Sequence, residues 1–439
     1  MNRPLRKIKT IWNNEFWNKL IKNIATVLTG SAAASTLNFV ALIVMVRMLG
    51  DENYAVFVLA QQYMTILDAI INFQAWQGVI KFGTEAISQN DNVRLVSILK
   101  GGFILDFFTA MIGTVVALFA LQVMKIAFNW DEGRIALSFL FSLEIIFHIE
   151  GTSIGILRLF NKFKYLAVHT FINALLNLVV IALYYLFGGR NLYIATAIFI
   201  LTDIVRHISL VFIAICVLRK NNMAVFRDGE IKKAGRDFFI FTVWTNLSSS
   251  LDVPVQYLDV FIMNMISLQM VSIYKVFKQM TKIISGLTRP ISQSIMPQLS
   301  QLIAEEKKKD AYRKVLKIRN LIMVAVGTCL IISIAIGKSL MSYFFNSSYG
   351  DNILLFVFML FTYGIGFSYV AIHPFFLSLG KAKEDAIVNL ISNLLYIALA
   401  YIGVKFFGAF GIVLATMSQI LITIISKSVI IRHELENEK

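Results

Sequence analysis

Residues 192–218 of the chain, LYIATAIFILTDIVRHISLVFIAICVL, form one of the long apolar runs that decide its fold. A helix that crosses a bilayer needs about 20 predominantly apolar residues. Of the 439 residues, 57% are hydrophobic and 15% are charged, whereas a soluble globular protein has about 45–50% apolar and about 25% charged residues. The strands of an outer-membrane barrel alternate apolar and polar residues, and these runs do not. The sequence therefore predicts an all-α, polytopic membrane protein.

Such runs recur along the whole chain and predict about twelve spans. They lie at 25–47, 54–76, 99–123, 134–156, 165–187, 192–218, 238–264, 268–298, 318–345, 352–379, 385–406 and 409–431. A basic loop near the middle of the chain separates two groups of six spans. The predicted organisation is an N-lobe (25–218), a cytoplasmic inter-lobe linker (219–237), a C-lobe (238–431) and a cytoplasmic tail (432–439).

Residues 1–24 differ from the spans because they are rich in Lys and Arg. Ile8, Trp12, Phe16 and Leu20 recur at helical spacing, which predicts an amphipathic helix that lies in the membrane interface. A cleavable signal peptide is the alternative. It fits less well, because the apolar core is too long and no small-residue cleavage site follows a short apolar region.

Basic residues are distributed unequally between the two sides of the membrane. With the N-terminus in the cytoplasm, the inside segments up to the last span hold 27 Lys and Arg residues, and the outside segments hold 4. The positive-inside rule then predicts an even number of spans with both termini cytoplasmic. This asymmetry also accounts for the formal net charge of +15 without nucleic acid as a partner.

The chain lacks the sequence motifs of nucleotide- and zinc-dependent enzymes. Neither G-x-x-x-x-G-K-[ST] nor H-E-x-x-H occurs, and the carboxylates are scattered. Cys216 and Cys329 lie far apart inside apolar runs, without the spacing of a disulfide framework or a metal site. We therefore expect a protein that is not an enzyme, with no catalytic residues, no cofactor and no metal.

Four cations follow one stripe of the predicted eighth span. Lys275, Lys278, Lys282 and Arg289 are spaced i, i+3, i+7 and i+14, which places them within an arc of about 60° on a helix. A charge that faces lipid costs several kcal/mol, so we expect this stripe to line a cavity and bind an anion. Two alternatives stay open: structural pairing of the lysines, and snorkelling of Arg289 to the interface.

Charged residues in other spans are candidates for coupling or for ion pairs. Asp259 either pairs with a lysine of the eighth span or takes up protons. Glu144 and His148 are spaced i, i+4, and a self-contained ion pair is the favoured interpretation for Asp203 and Arg206. The full set is Asp68, Asp106, Glu144, His148, Asp203, Arg206, Asp252 and Asp259.

Several motifs resemble those of one transporter family. Residues 46–57, VRMLGDENYAVF, resemble the R-x-L-G-x-x-x-Y-G-x-F signature after the first helix of polysaccharide (O-antigen type) flippases; Ala55 stands where that signature has Gly. These flippases belong to the multidrug/oligosaccharidyl-lipid/polysaccharide (MOP) exporter superfamily. Lys81 resembles the basic residue after the second helix, and residues 297–300, PQLS, resemble the P-x-L-S close of the eighth. The resemblance covers nearly the whole chain.

The resemblance implies a fold of two six-helix lobes that form a V-shaped central cavity. It implies transport by alternating access: an undecaprenyl-pyrophosphate-linked oligosaccharide is flipped from the inner to the outer leaflet of the bacterial cytoplasmic membrane for O-antigen or capsule synthesis. It also implies proton or sodium coupling, and polymerase and chain-length proteins as partners. The residues that would meet the pyrophosphate are Arg47, Lys81, Lys275, Lys278, Lys282 and Arg289.

Three alternatives to this function fit the sequence less well. A drug or organic-cation antiporter of the same superfamily would want an acidic, aromatic cavity, and the lysine stripe argues against it. A membrane glycan polymerase or ligase would want a large outer loop with Arg and His, whereas the outer loops here are short. A peptidoglycan-precursor flippase would usually carry helices beyond twelve.

Overall fold

The structure, a computed structural model, describes residues 15–73, 75–127, 129–225, 230–250, 253–281 and 305–436, together with Ile295, Leu299, Leu302 and Ile303. The elements it describes are helices: α1 (Glu15–Ile71), α2 (Trp76–Ser88), α3 (Asn92–Ala127), α4 (Glu132–Glu144), α5 (Gly151–Leu159), α6 (Phe163–Leu186), α7 (Leu192–Lys220), α8 (Ile231–Ala234), α9 (Arg236–Ser250), α10 (Val253–Met263), α11 (268–281), α12 (Lys308–Phe344), α13 (Ser347–Asp351), α14 (Ile353–Ser368), α15 (Ile372–Ser378), α16 (Ala382–Phe407) and α17 (Ala409–Glu436). The predicted all-α class is confirmed.

Nine helical stretches among the described residues are long and apolar enough to cross a membrane. The first, Ala32–Ser88, contains most of the first predicted span and all of the second. The described parts of the predicted seventh and eighth spans are α9, α10 and α11, which are not among the nine. A multi-pass membrane protein is therefore confirmed, while the count of twelve spans stays a prediction.

Helix α1 runs for 57 residues and is interrupted at one position. Gly50 has φ 73° and ψ 169°, outside the helical region. A positive φ is a conformation that glycine adopts at little cost, because it lacks a Cβ atom. The break separates the first predicted span from the second, where the sequence places the signature residues 46–57.

The chain folds into two compact units. Unit 1 comprises Met1–Ala41, Leu67–Gly188 and Tyr193–Ser248, and unit 2 comprises Leu42–Ile66, Gly189–Leu192 and Ser249–Lys439. Unit 2 thus includes a segment from the beginning of the chain. The lobe boundaries and the linker at 219–237 stay predictions.

Two predicted spans are interrupted near their middle or end. The second span stops at Ile71 and resumes as α2 at Trp76. The fourth, predicted as one helix, consists of α4, a 3-10 turn (Ile145–Phe147) and α5, so its continuity was predicted wrongly. Non-helical backbone within a membrane must find other hydrogen-bond partners. Because α2 packs against both α3 and α5, those partners can come from a neighbouring helix.

The last two helices approach each other closely. A Cβ atom added to Gly411 would lie 2.0 Å from the carbonyl oxygen of Gly403, and one added to Gly403 would lie 2.8 Å from that of Gly411. Small residues allow such backbone contact between membrane helices. The α16–α17 hairpin of unit 2 therefore requires glycine at both positions.

Candidate functional site

Asp106 of α3 accepts hydrogen bonds from backbone N–H groups in both of the interrupted spans. Its Oδ1 accepts a hydrogen bond from the backbone N–H of Ala75 at 3.0 Å, and its Oδ2 accepts one from the N–H of Thr152 at 2.6 Å. These donors lie at the beginnings of α2 and α5, where helical N–H groups lack intrahelical partners. The carboxylate is buried. Asp106, a candidate for coupling, thus has a structural task in the fold.

Asn72 bridges the same two interruptions. Its Nδ2 donates to the carbonyl oxygen of His148 at 2.8 Å and to Asp68 Oδ1 at 3.0 Å. Next to it, the N–H of Phe73 donates to Thr109 Oγ1 at 3.2 Å. The backbone groups that the breaks release are therefore paired with side chains, which fixes the position of the polar residues around them.

Seven charged or titratable side chains of unit 1 meet beside the break in the fourth span. We call them the carboxylate–histidine cluster: Asp68 (α1), Glu144 (α4), His148 and Glu150 (the break), and Asp203, Arg206 and His207 (α7). The structure thus brings five of the predicted candidates together with His207, which shares a helix face with Asp203 and Arg206, and with Glu150. Asp203 and His207 repeat the i, i+4 spacing of Glu144 and His148, and that repetition is the signal in the sequence.

Each histidine of the cluster lies between two carboxylates. Nδ1 of His148 lies 3.0 Å from Asp68 Oδ2, and its Nε2 lies 3.6 Å from Glu144 Oε1. The imidazole rings of His148 and His207 stack with their centroids 4.1 Å apart. Nδ1 of His207 lies 3.0 Å from Glu150 Oε2, and its Nε2 lies 3.3 Å from Asp203 Oδ2. The two rings therefore have matching surroundings.

Arg206 supplies the fixed positive charge of the cluster. Its Nε and Nη2 donate to the two carboxylate oxygens of Asp203 at 2.6 and 3.1 Å, and its Nη1 lies 3.3 Å from both oxygens of Glu150. Nη2 also lies 2.7 Å from Nε2 of His207. The ion pair between Asp203 and Arg206 is present, but it belongs to a network with four carboxylates and one guanidinium.

Part of the cluster has the composition of a metal site. One ligand atom from each of Glu144, His148, Asp203 and His207 lies within 4.8 Å of the other three. Two imidazoles and two carboxylates are ligands that zinc and similar dications take in proteins. The sequence predicts no metal site, and the four residues form two pairs that lie 55 or more positions apart in it.

Unit 2 contains a second polar site around α10 and α11. The ammonium of Lys278 pairs with the buried carboxylate of Asp259 and donates to the carbonyl oxygen of Gln256 at 2.7 Å. The hydroxyl of Tyr274 donates to the same carboxylate at 2.8 Å. Of the two roles left open for Asp259, pairing with a lysine of the eighth span is the one that the geometry displays.

Lys275 lies one turn before Lys278. Its Nζ donates to Gln62 Oε1 at 3.0 Å. Both lysines line a small pocket within unit 2, together with Gln62, Gln256, Tyr257 and Gln279. Two ammonium groups, three amides and a phenol are donors suited to phosphate oxygens and sugar hydroxyls. The other stripe residues, Lys282 and Arg289, lie outside the described residues, as does Asp252.

The two basic residues taken from the family resemblance have local partners. Arg47 donates through Nε to the carbonyl oxygen of Phe344 at 2.7 Å and through Nη2 to that of Tyr343. It therefore caps the carboxyl end of α12, where helical carbonyls lack partners. Lys81 stands over the ring of Phe241, with Nζ 4.1 Å from its centroid. Contact of either residue with a substrate stays a prediction.

A buried ion pair in unit 2 was missed from the sequence. Nζ of Lys427 (α17) lies 2.6 Å from Asp385 Oδ1 (α16), and His373 Nδ1 lies 3.2 Å from the same oxygen. The sequence signal was a lysine inside the apolar run of the last predicted span. The pair joins the two helices of the hairpin that the glycine contacts also hold together.

One short motif of hydrolases also escaped the sequence analysis. Residues 151–155, GTSIG, match G-x-S-x-G. In hydrolases this motif forms a sharp turn between a strand and a helix. Here it lies inside α5, and Ser153 is buried without a hydrogen-bond partner among the described residues. The match therefore does not form a nucleophile elbow.

Solved structures show the class of fold. The chain aligns with an inward-facing multidrug resistance MATE family transporter of the MOP superfamily at a TM-score of 0.75, with 15% identity over 92% of this chain and 95% of that one. An outward-facing MATE family transporter gives 0.65, with 14% identity over 95% and 96%. A MOP superfamily transporter from Pyrococcus furiosus gives 0.66, with 12% identity over 94% and 95%. The fold is that of MOP superfamily transporters.

Sequence comparison is more specific. A family model described as polysaccharide biosynthesis protein matches residues 20–303. The chain therefore belongs to the polysaccharide biosynthesis protein family, and the resemblance drawn from its motifs is confirmed. Inner membrane protein YghQ of Escherichia coli (strain K12) is 25% identical over 149 residues, which are 34% of this chain and 42% of that protein. The match thus spans less than half of YghQ.

Proposed function

We propose that this protein flips an undecaprenyl-pyrophosphate-linked oligosaccharide from the inner to the outer leaflet of the bacterial cytoplasmic membrane. The product would serve surface polysaccharide synthesis, as O-antigen or capsule. The protein acts as a transporter by alternating access and not as an enzyme, with both termini in the cytoplasm. Membership of the polysaccharide biosynthesis protein family supports this substrate class.

The observation that carries the proposal is the pocket lined by Lys275 and Lys278. A pyrophosphate is a dense anion, and ammonium groups attract it strongly where water is scarce. The amides of Gln62, Gln256 and Gln279 add neutral donors and acceptors for the sugar next to it. Asp259 holds Lys278 in place, so that Lys275 and the amides can adjust to the ligand.

An organic-cation antiporter is the second candidate, because one observation favours it. The carboxylate–histidine cluster is rich in carboxylates, as a cation-binding cavity would be. The MATE transporters show that the fold is compatible with this candidate. In the favoured function the coupling ion would be a proton or sodium. A polysaccharide polymerase and chain-length proteins would receive the flipped product.

Transport in reconstituted vesicles tests the proposal. Purified protein is combined with a fluorescent undecaprenyl-pyrophosphate oligosaccharide, and a membrane-impermeant quencher reports the probe in the accessible leaflet. We expect protein-dependent flipping that falls at least tenfold in Lys275→Gln. The matched control is Lys381→Gln: this partly exposed lysine lies outside the spans, and its hydrogen bond to Glu434 raises its pKa.

Two results would overturn the proposal. One is equal flipping by the wild type and Lys275→Gln, which would show that the pocket has no role in transport. The other is no flipping with several glycans, together with uptake of an organic cation against a proton gradient. That second result would establish the antiporter.

A further inference from the structure

We infer that Glu144, His148, Asp203 and His207 bind a divalent transition-metal ion of the zinc type inside unit 1. The site lies beside the break in the fourth span and uses two imidazoles and two carboxylates. It is independent of the substrate proposed for transport, because none of its residues lines the lysine pocket of unit 2.

The ligand atoms are close to the spacing that such an ion requires. Zn²⁺ takes nitrogen at about 2.0–2.1 Å and carboxylate oxygen at about 2.0–2.2 Å, so tetrahedral ligands stand about 3.4 Å apart. His207 Nε2 and Asp203 Oδ2 are 3.3 Å apart, and His148 Nε2 and Glu144 Oε1 are 3.6 Å apart. All four ligand atoms lie within 4.8 Å of one another, so the two pairs need to approach by up to about 1.4 Å to reach tetrahedral spacing.

Outer carboxylates orient both imidazoles toward the inferred ion. A metal-binding histidine nearly always presents its other ring nitrogen to a carboxylate, a carbonyl or water. Here Nδ1 of His148 faces Asp68 and Nδ1 of His207 faces Glu150, each at 3.0 Å. Each Nε2 then points to an inner carboxylate. The same outer and inner arrangement occurs on both rings, which a single structural ion pair would not require.

Glu144 is the most deeply buried carboxylate of the cluster. Its side chain is 0% exposed, and neither carboxylate oxygen receives a hydrogen bond from any described residue. His148 Nε2, at 3.6 Å, is outside hydrogen-bond distance. A buried carboxylate that receives no hydrogen bond is costly, and a second carboxylate, that of Asp203, lies nearby. A cation between them removes both costs.

The guanidinium of Arg206 occupies part of the space in which the inferred ion would bind. Its Nη2 lies 2.7 Å from His207 Nε2 and 3.1 Å from Asp203 Oδ2, where a metal would contact both residues. The side chain is 34% exposed, so the guanidinium can turn away while Nε keeps its bond to Asp203 Oδ1. We infer that Arg206 is a tethered counter-ion that the dication displaces. Removing the guanidinium should therefore strengthen metal binding.

Zinc binding to the full-length, untagged protein in detergent tests this inference. Isothermal titration with ZnCl₂ gives the affinity and stoichiometry, and Co²⁺ gives the intense visible absorption of a tetrahedral site. We expect one saturable site in the wild type. Glu144→Gln and His148→Asn should each weaken it at least 100-fold, and the positioning variant Asp68→Asn should weaken it about 10- to 100-fold.

The decisive variant is Arg206→Gln. Loss of a structural ion pair or partial unfolding could only weaken binding, whereas loss of a competing cation should tighten it about tenfold. His373→Asn is the matched control, because His373 also faces a carboxylate but lies in unit 2; its affinity should equal that of the wild type.

Three results would overturn the inference: no saturable zinc binding, binding unaffected by Glu144→Gln and His148→Asn, or weaker binding by Arg206→Gln. The flippase proposal is judged separately, in the vesicle assay. A protein that flips glycan but binds no zinc would refute only the metal site, and a protein that binds zinc but flips nothing would refute only the transport proposal.

Discussion

The ammonium of Lys278 and the carboxylate of Asp259 form an ion pair that is almost completely buried. The pair joins α11 to α10 within unit 2, and Tyr274 completes it with a hydrogen bond. Lys278 therefore differs from a lysine whose side chain extends to the membrane surface. Their interaction also means that neither residue can be altered without an effect on the other.

The pair predicts a pattern among three variants. Asp259→Asn alone or Lys278→Met alone should destabilise the protein by about 3–5 kcal/mol, because each change leaves a polar partner buried and unpaired. The double variant should cost less than the sum, because both charges are removed together. Unfolding by sodium dodecyl sulfate in mixed micelles measures this. Additive costs would show that the two groups are not coupled.

Asp106 gives a prediction about the broken spans. Asp106→Asn should destabilise the protein by about 1–3 kcal/mol, since the amide can accept from only one of the two buried backbone N–H groups. Asp131→Asn is the control: Asp131 caps α4 at the surface, and Asn caps a helix equally well. Hydrogen exchange should also increase at Ala75 and Thr152. Equal stability of the two variants would contradict the assigned role.

The contact between Gly403 and Gly411 predicts that alanine at position 411 destabilises the protein, whereas alanine at Gly366, which has more space, serves as the control. Gly411→Ala should cost at least about 1–3 kcal/mol, because its Cβ would collide with the backbone of Gly403. Gly366→Ala in α14 should be neutral or stabilising by up to about 1 kcal/mol, because its Cβ would meet Ile420 at an ordinary 3.4 Å. Thermal unfolding in detergent compares them. A tolerated Gly411→Ala would show that α16 and α17 separate easily.

The spans could be predicted because hydropathy is a local property. Runs such as 192–218 contain enough apolar residues to require a helix in a membrane, whatever their neighbours are. The interruptions at 72–75 and 148–150 could not be predicted in this way. They depend on Asp106 and Asn72, whose partners come from other helices. The apolar residues around both interruptions would also fit a continuous helix, so hydropathy alone does not reveal the breaks.

The sites were predictable only as groups of residues within one helix. Glu144 and His148 are spaced i, i+4, and Asp203 and Arg206 are spaced i, i+3, so each pair is evident within its own helix. The sequence contained nothing to bring Asp68 to His148 or Glu150 to His207, because those contacts depend on how α1, the broken span and α7 pack. The lysine stripe was recognised as a face, but its pairing with Asp259 required α10 to be placed beside it.

The position of Leu42–Ile66 in unit 2 has a consequence for biogenesis. Arg47 donates to the carbonyl oxygen of Phe344, a residue made 297 positions later. At about 5–20 residues per second, the ribosome needs about 15–60 seconds to synthesise that distance. The early segment must therefore wait in the membrane, inserted but incompletely packed, until α12 emerges. Unit 2 can close only after translation has passed well beyond the middle of the message, so slowing of synthesis before residue 344 would prolong exposure to membrane proteases.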